Sequence, residues 1–205
     1  MKLYLVRHGE SEHNAKNAYQ PGDSKLSEKG LEQANFLAHR FEGIPIDIIF
    51  SSPFERARQT AEAIGKAVGK EVMYQDLLRE TKKPSEVVGK EENDPEAVAI
   101  LKKIGSHADD PAWHHSDEEN FTELKNRGKE FLAFIQSEQE ESVLCVTHGT
   151  FLRMVICLML QKDPDAVFFK NFWGFFRTRN TGITLCEYEN GKWCLLTWND
   201  HAHLG

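Results

Sequence analysis

Short β-forming runs alternate along this chain with longer segments of helical periodicity, and no other feature restricts its fold as much. Lys2–Val6, Ile46–Phe50, Val72–Tyr74 and Val143–Thr147 are rich in branched and aromatic residues and read as strands. Ser27 can cap a helix whose Leu31, Ala34, Ala38 and Phe41 share a face. Ser52 and Pro53 suit the N-cap and first position of a second helix, with Ala57, Ala61, Ile64 and Val68 inward. Ser116-Asp117-Glu118-Glu119 reads as a capping box ahead of Phe121, Leu124, Gly128, Leu132 and Ile135, and an apolar helix runs from about Thr150 to Leu160. Ile183–Tyr188 and Trp193–Trp198 flank Asn190-Gly191, a strong hairpin signal. Residues 79–120 are polar and broken by Pro84, Pro95 and Pro111; they read as an excursion with one helix, opened by Asp94-Pro95 and closed by Gly105. The expectation is an α/β fold: a three-layer α/β/α sandwich with a mostly parallel central sheet and a small helical excursion at about 79–120. The 205 residues suit one domain spanning 1–205.

Composition narrows the function classes. A 40% hydrophobic content is enough for a core, and intrinsic disorder is excluded as the general state. The longest uninterrupted apolar run, Met154–Leu160, is far short of the roughly 18 residues a membrane span needs. Leu3–Val6 is too short for a signal-peptide core, so the expected compartment is the cytoplasm. A net charge of −7 disfavours nucleic acids and anionic membranes as partners. Cys145, Cys157, Cys186 and Cys194 include no C-x-x-C pair and read as reduced core residues.

The chemistry concentrates where strands give way to helices. Leu5-Val6-Arg7-His8-Gly9-Glu10, Phe50-Ser51-Ser52-Pro53-Phe54-Glu55-Arg56 and Val146-Thr147-His148-Gly149 all deliver cationic or imidazole side chains to such junctions. Ligands of open α/β sheets sit beyond the carboxyl ends of the strands, where helix N-termini also point. Two arginines and two histidines on that rim suit a small dianion. Guanidinium forks grip phosphate oxygens, a neutral imidazole can attack phosphorus, and flanking arginines keep that imidazole neutral. Gly9 and Gly149, each following a histidine, would let backbone approach the ligand. Asn14 could add an amide donor.

These blocks resemble the histidine phosphatase superfamily, which includes cofactor-dependent phosphoglycerate mutases and many small phosphatases. Leu5-Val6-Arg7-His8-Gly9-Glu10-Ser11-Glu12-His13-Asn14 is similar to its signature, and Leu26–Ala34, Ser51–Ala61, Val146–Gly149 and Asn180–Thr184 follow in the family's order. The tail Asn199–Leu204 is similar to that of some small members. The resemblance implies a metal-independent phosphomonoesterase with no cofactor. His8 would become phosphohistidine, and Arg7, Arg56 and His148 would bind the phosphoryl group. Arg56, before Ala-x-Gln-Thr, is the implied phosphate ligand, whereas Arg58 would meet solvent or an acid. Glu80, in Leu78-Arg79-Glu80, would be the general acid, since a carboxyl beside a dianion keeps its proton for a leaving alkoxide. The family's Gly-x-Trp-Glu-Gly continuation is replaced by Thr81–Lys90, which leaves Glu86 a second candidate.

Other chemistries fit less well. Phe151 stands where a C-x5-R loop from Cys145 needs Arg, and Asp163-Pro164-Asp165 follows an apparent helix rather than a strand, so it reads as a helix cap. His114-His115 and His201-x-His203 could bind metal only with partners from elsewhere. The aromatic stretch Phe168–Phe176 suits core packing, a cover over the pocket, or a dimer face. The expected partner is a small phosphomonoester substrate, with monomer and homodimer both open. A mutase returning the phosphoryl group to another hydroxyl, and a phosphate- or phosphoprotein-binding module without turnover, are the alternatives.

Overall fold

The structure, a computed structural model, describes residues 1–205. Strands β1 (Lys2–Arg7), β2 (Ile48–Ser51), β3 (Val72–Tyr74), β4 (Ser142–Thr147), β5 (Ile183–Glu189) and β6 (Lys192–Asp200) form one sheet in the order β3-β2-β4-β1-β5-β6. The β3-β2-β4-β1 pairings are parallel and the β1-β5-β6 pairings antiparallel. The central strands are apolar on both faces because both are covered. In β1, Leu3 and Leu5 enter one core while Tyr4 and Val6 enter the other; β4 divides Val143 and Cys145 from Leu144 and Val146 in the same way.

Helices α2 (Glu28–Phe41) and α3 (Glu55–Val68) cover one face through Leu37, Phe41, Ala57, Ala61 and Ile64. The other face carries α5 (Phe121–Ser137), α6 (Gly149–Leu160) and α7 (Ala166–Phe175), with Phe131, Ile135, Phe151 and Phe172 inward. The short α1 (Glu12–Ala15) follows β1, and α4 (Pro95–Ser106) lies in the excursion. This is the expected α/β layering. No helix is long and apolar enough to cross a membrane.

Several local expectations need correction. Leu31 is 47% exposed, and the buried face of α2 uses Leu37 instead. Helix α3 begins after Phe54 without a side-chain cap; Ser52 lies two residues before that N-cap and accepts from the Phe54 amide. Gly105 lies inside α4, which ends at Ser106. The capping box of α5 is Asn120 with Glu123, since Ser116 donates to Glu86 and Glu118 accepts from the amides of His115 and Ser116. Cys194 is exposed on the edge strand β6, whereas the other three cysteines are buried. The hairpin forms as expected, Asn190 (φ 51°) and Gly191 (φ 78°) taking the two left-handed positions of its turn. Asp165 caps α7, and Asp163 pairs with Lys125 and Lys129.

Candidate active site

Three parallel strands end side by side, so their carboxyl ends deliver the junction residues to one place. Arg7 closes β1, and the His8 amide extends the ladder by donating to the Thr147 carbonyl at 3.0 Å. His148 follows β4, and its ring centroid lies 5.0 Å from that of His8. Arg56, in the first turn of α3, donates through Nε to His8 Nε2 at 3.3 Å and through Nη1 to the Pro21 carbonyl at 2.9 Å.

The His8 tautomer follows from its partners. Nδ1 lies 2.6 Å from the Gly9 carbonyl, which can only accept, so Nδ1 carries the proton and Nε2 keeps its lone pair. His8 is 2% exposed, and burial, reinforced by Arg56 and Arg7, holds its pKa well below the ordinary histidine value. His148 is lowered by the same causes, burial first and then Arg56, His8 and Arg7. Burial also pushes Arg56 down to about 10, still charged at neutral pH, and lowers Arg7, with Glu80 opposing the fall in both.

His148 Nε2 lies 2.8 Å from Ser52 Oγ, which already accepts from the Phe54 amide. No other acceptor lies within reach of that hydroxyl, so its proton goes to His148 Nε2, and Nδ1 carries the ring proton. That Nδ1 and the Nε of Arg7 are buried donors with no partner in the protein. Two unspent donors beside a lone-pair nitrogen suit the oxygens of a phosphoryl group.

Arg7 is fixed by donating through Nη1 to the Thr178 carbonyl at 2.8 Å. A Cβ on Gly149 would lie 3.2 Å from Thr178 Oγ1 and 3.5 Å from Arg7 Nε; a Cβ on Gly9 would strike the Gly30 carbonyl at 2.7 Å. At both glycines a side chain would crowd neighbouring protein atoms, at Gly149 those of Arg7 itself. Asn14 completes the capping box of α1 and accepts from Asn180 Nδ2, which in turn donates to the His8 carbonyl. Asn14 therefore reaches the site through Asn180.

Glu80 lies at the N-terminus of α6, its carboxylate accepting from the amides of Thr81 (2.9 Å), Thr150 (3.1 Å) and Phe151 (3.1 Å). Glu86 instead meets Ser116 and His115 in the excursion. Arg58 pairs with Glu62 and sits over Tyr74, away from the site. Glu80 and Phe54 line a cavity of about 720 Å³ whose wall mixes charges of both signs. Lys82 pairs there with Asp117 at 3.0 Å, and Arg127 grips Glu119 through two bonds of 2.7 and 2.6 Å. Phe54 stacks its edge against His148 at 5.4 Å and joins this cavity to the phosphoryl-sized site.

Sequence reasoning missed Ser52 as a histidine partner, together with Thr60, Thr178 and Asn180. Thr60 ties the first two junctions, accepting from the Gly9 amide and donating to the Arg56 carbonyl. The signal for Thr178 and Asn180 was five consecutive polar residues, Arg177–Thr181, between an aromatic helix and a buried strand. His114 contacts Asn120 and Glu123, His201 contacts Arg179, and His203 contacts Thr181.

Comparison with known proteins identifies the family. The histidine phosphatase superfamily (branch 1) matches residues 3–201. A putative phosphoserine phosphatase 2 of Hydrogenobacter thermophilus is 31% identical over 98% of this chain and 97% of its own. A probable phosphoglycerate mutase of Escherichia fergusonii is 29% identical over 100% and 95%. Among solved structures, phosphoserine phosphatase of Entamoeba histolytica with phosphoserine superposes with a TM-score of 0.82 at 28% identity, covering 99% of this chain and 98% of that one.

Proposed function

This chain belongs to the histidine phosphatase superfamily, branch 1, and from that premise we propose that it is a phosphatase acting through a phosphohistidine on His8. The observation that carries the reading is the buried, neutral His8 with its Nε2 lone pair beside Arg56 and the unspent donors of Arg7 and His148. Nε2 attacks the phosphorus of a monoester, and the bond from phosphorus to the alcohol oxygen breaks. The two guanidinium groups and His148 Nδ1 hold the charge that spreads over the equatorial oxygens. Glu80 gives its proton to the leaving alkoxide, then takes one from the water that hydrolyses the phosphohistidine.

Its substrate is a small phosphorylated metabolite. Phosphoserine is the one to test first, because relatives of this chain carry that activity in their names and a wall of mixed charge suits an alcohol bearing both an ammonium and a carboxylate. The relationship to a phosphoglycerate mutase favours a second reading, transfer back to another hydroxyl. Product analysis with 3-phosphoglycerate separates the two, since hydrolysis releases orthophosphate and a mutase yields the isomer.

Labelled substrate quenched early in turnover should leave a base-stable, acid-labile phosphoenzyme. His8→Ala should give neither that species nor turnover, while keeping its fold by circular dichroism. Turnover retained by His8→Ala would overturn the mechanism.

A further inference from the structure

A second cavity, of about 420 Å³, lies between the excursion and helices α5, α6 and α7 and shares Glu119 with the polar cavity. None of Arg7, His8, Arg56, Glu80 or His148 lines it, so it is not part of the phosphoryl site. Its volume falls in the usual range for small-molecule sites. Its walls are largely apolar, with Trp113 and Trp173 joined by Phe121, Phe169, Ile104 and Leu124. Each tryptophan ring has a neighbour against it. His107 stacks on Trp113 at 3.9 Å with the planes 4° apart, and the Arg153 guanidinium lies 4.8 Å from the Trp173 ring, anchored by its Nε to the Phe176 carbonyl.

Of the polar groups in this wall, His107, Glu119 and Asn120 are spent on bonds within the protein, and others are free. Lys83 and Lys170 have no carboxylate partner, which sets them apart from Lys82, Lys125 and Lys129, all paired. Asp110 is the one unpaired acid of the lining, because Glu119 is held by Arg127. The hydroxyl of Thr81 is buried and bonds to nothing in the protein.

We propose that this cavity binds a flat aromatic carboxylate, its rings between the aromatic walls and its anion toward Lys83 and Lys170. Apolar area supplies the affinity, the two unpaired ammonium groups set the sign of the charge, and Thr81 Oγ1 contributes one hydrogen bond. Thr81 and Thr150 line this cavity and also give amides to Glu80, so the site adjoins the backbone that holds the candidate acid.

The test is calorimetric titration of the full chain with naphthalene-2-carboxylate. One saturable site is expected, with binding unchanged when orthovanadate saturates the phosphoryl site. Trp173→Ala should weaken it at least about tenfold, and Lys83→Gln with Lys170→Gln should remove the preference for the carboxylate over neutral 2-naphthylmethanol. Trp173 is half exposed, and unchanged turnover of nitrophenyl phosphate shows that each variant is folded. No saturable binding, displacement by orthovanadate, or full affinity in Trp173→Ala would overturn the proposal.

Discussion

A protonated His8 could not attack phosphorus, and burial, Arg56 and Arg7 together outweigh the Gly9 carbonyl and disfavour that proton. The same burial has a thermodynamic consequence. Unfolded, His8 and His148 titrate near the ordinary histidine value of about 6.5; folded, both titrate well below it. As pH falls through about 6.5, the unfolded chain takes up protons that the native protein refuses, so stability falls with pH below that point. Each histidine contributes up to about 1.4 kcal/mol per pH unit. Thermal unfolding between pH 7 and 5 should show this slope, and His8→Asn should make it shallower; an unchanged slope would contradict the burial argument. Glu80 makes a separate prediction. Glu80→Gln should slow alkyl phosphates by about 10²- to 10⁴-fold and nitrophenyl phosphate far less, because nitrophenolate leaves without a proton. Equal losses in kcat on both substrates would remove Glu80 as the acid.

Among the elements, the contact between the loop after β1 and the start of α2 is the tightest. A Cβ on Gly30 would lie 1.9 Å from the Glu10 carbonyl oxygen, a backbone atom that no rotamer change can move. Gly30→Ala should therefore cost about 3 kcal/mol and lower Tm by roughly 6–12 °C, measured by calorimetry. A shift of under a degree would mean that the loop yields freely. The element starts also show where local reading fails. Ser52 has the sequence position of an N-cap, yet His148, 96 residues away, takes its hydroxyl. Ser116 and Asn120 both fit a capping pattern, and the helix takes Asn120 because Ser116 is engaged by Glu86. In the aromatic helix α7, Phe169 and Phe172 are buried while Trp173 and Phe175 stay exposed, a division that depends on what packs against it.

Across the molecule, one sheet separates two cores, and its central strands contribute alternate side chains to both. Neither core can come apart without disturbing the other, so we propose that residues 1–205 form a single domain. Calorimetry should then give one transition, with calorimetric and van't Hoff enthalpies equal. Two resolved transitions, with the 79–120 excursion melting first, would refute it.

The sequence by itself determined the layered α/β class and the hairpin, and it put Arg7, His8, Arg56 and His148 at strand-to-helix junctions, because periodicity and turn chemistry are local properties written in short windows; Glu80 came only with the family resemblance. Only the tertiary structure decided which tautomers His8 and His148 hold, that Glu86 meets Ser116 and His115 instead of the site, that Thr178 anchors Arg7, and that a second, apolar cavity adjoins the backbone that holds Glu80. Each of these depends on atoms meeting across many intervening residues, and no local pattern encodes the distance between them.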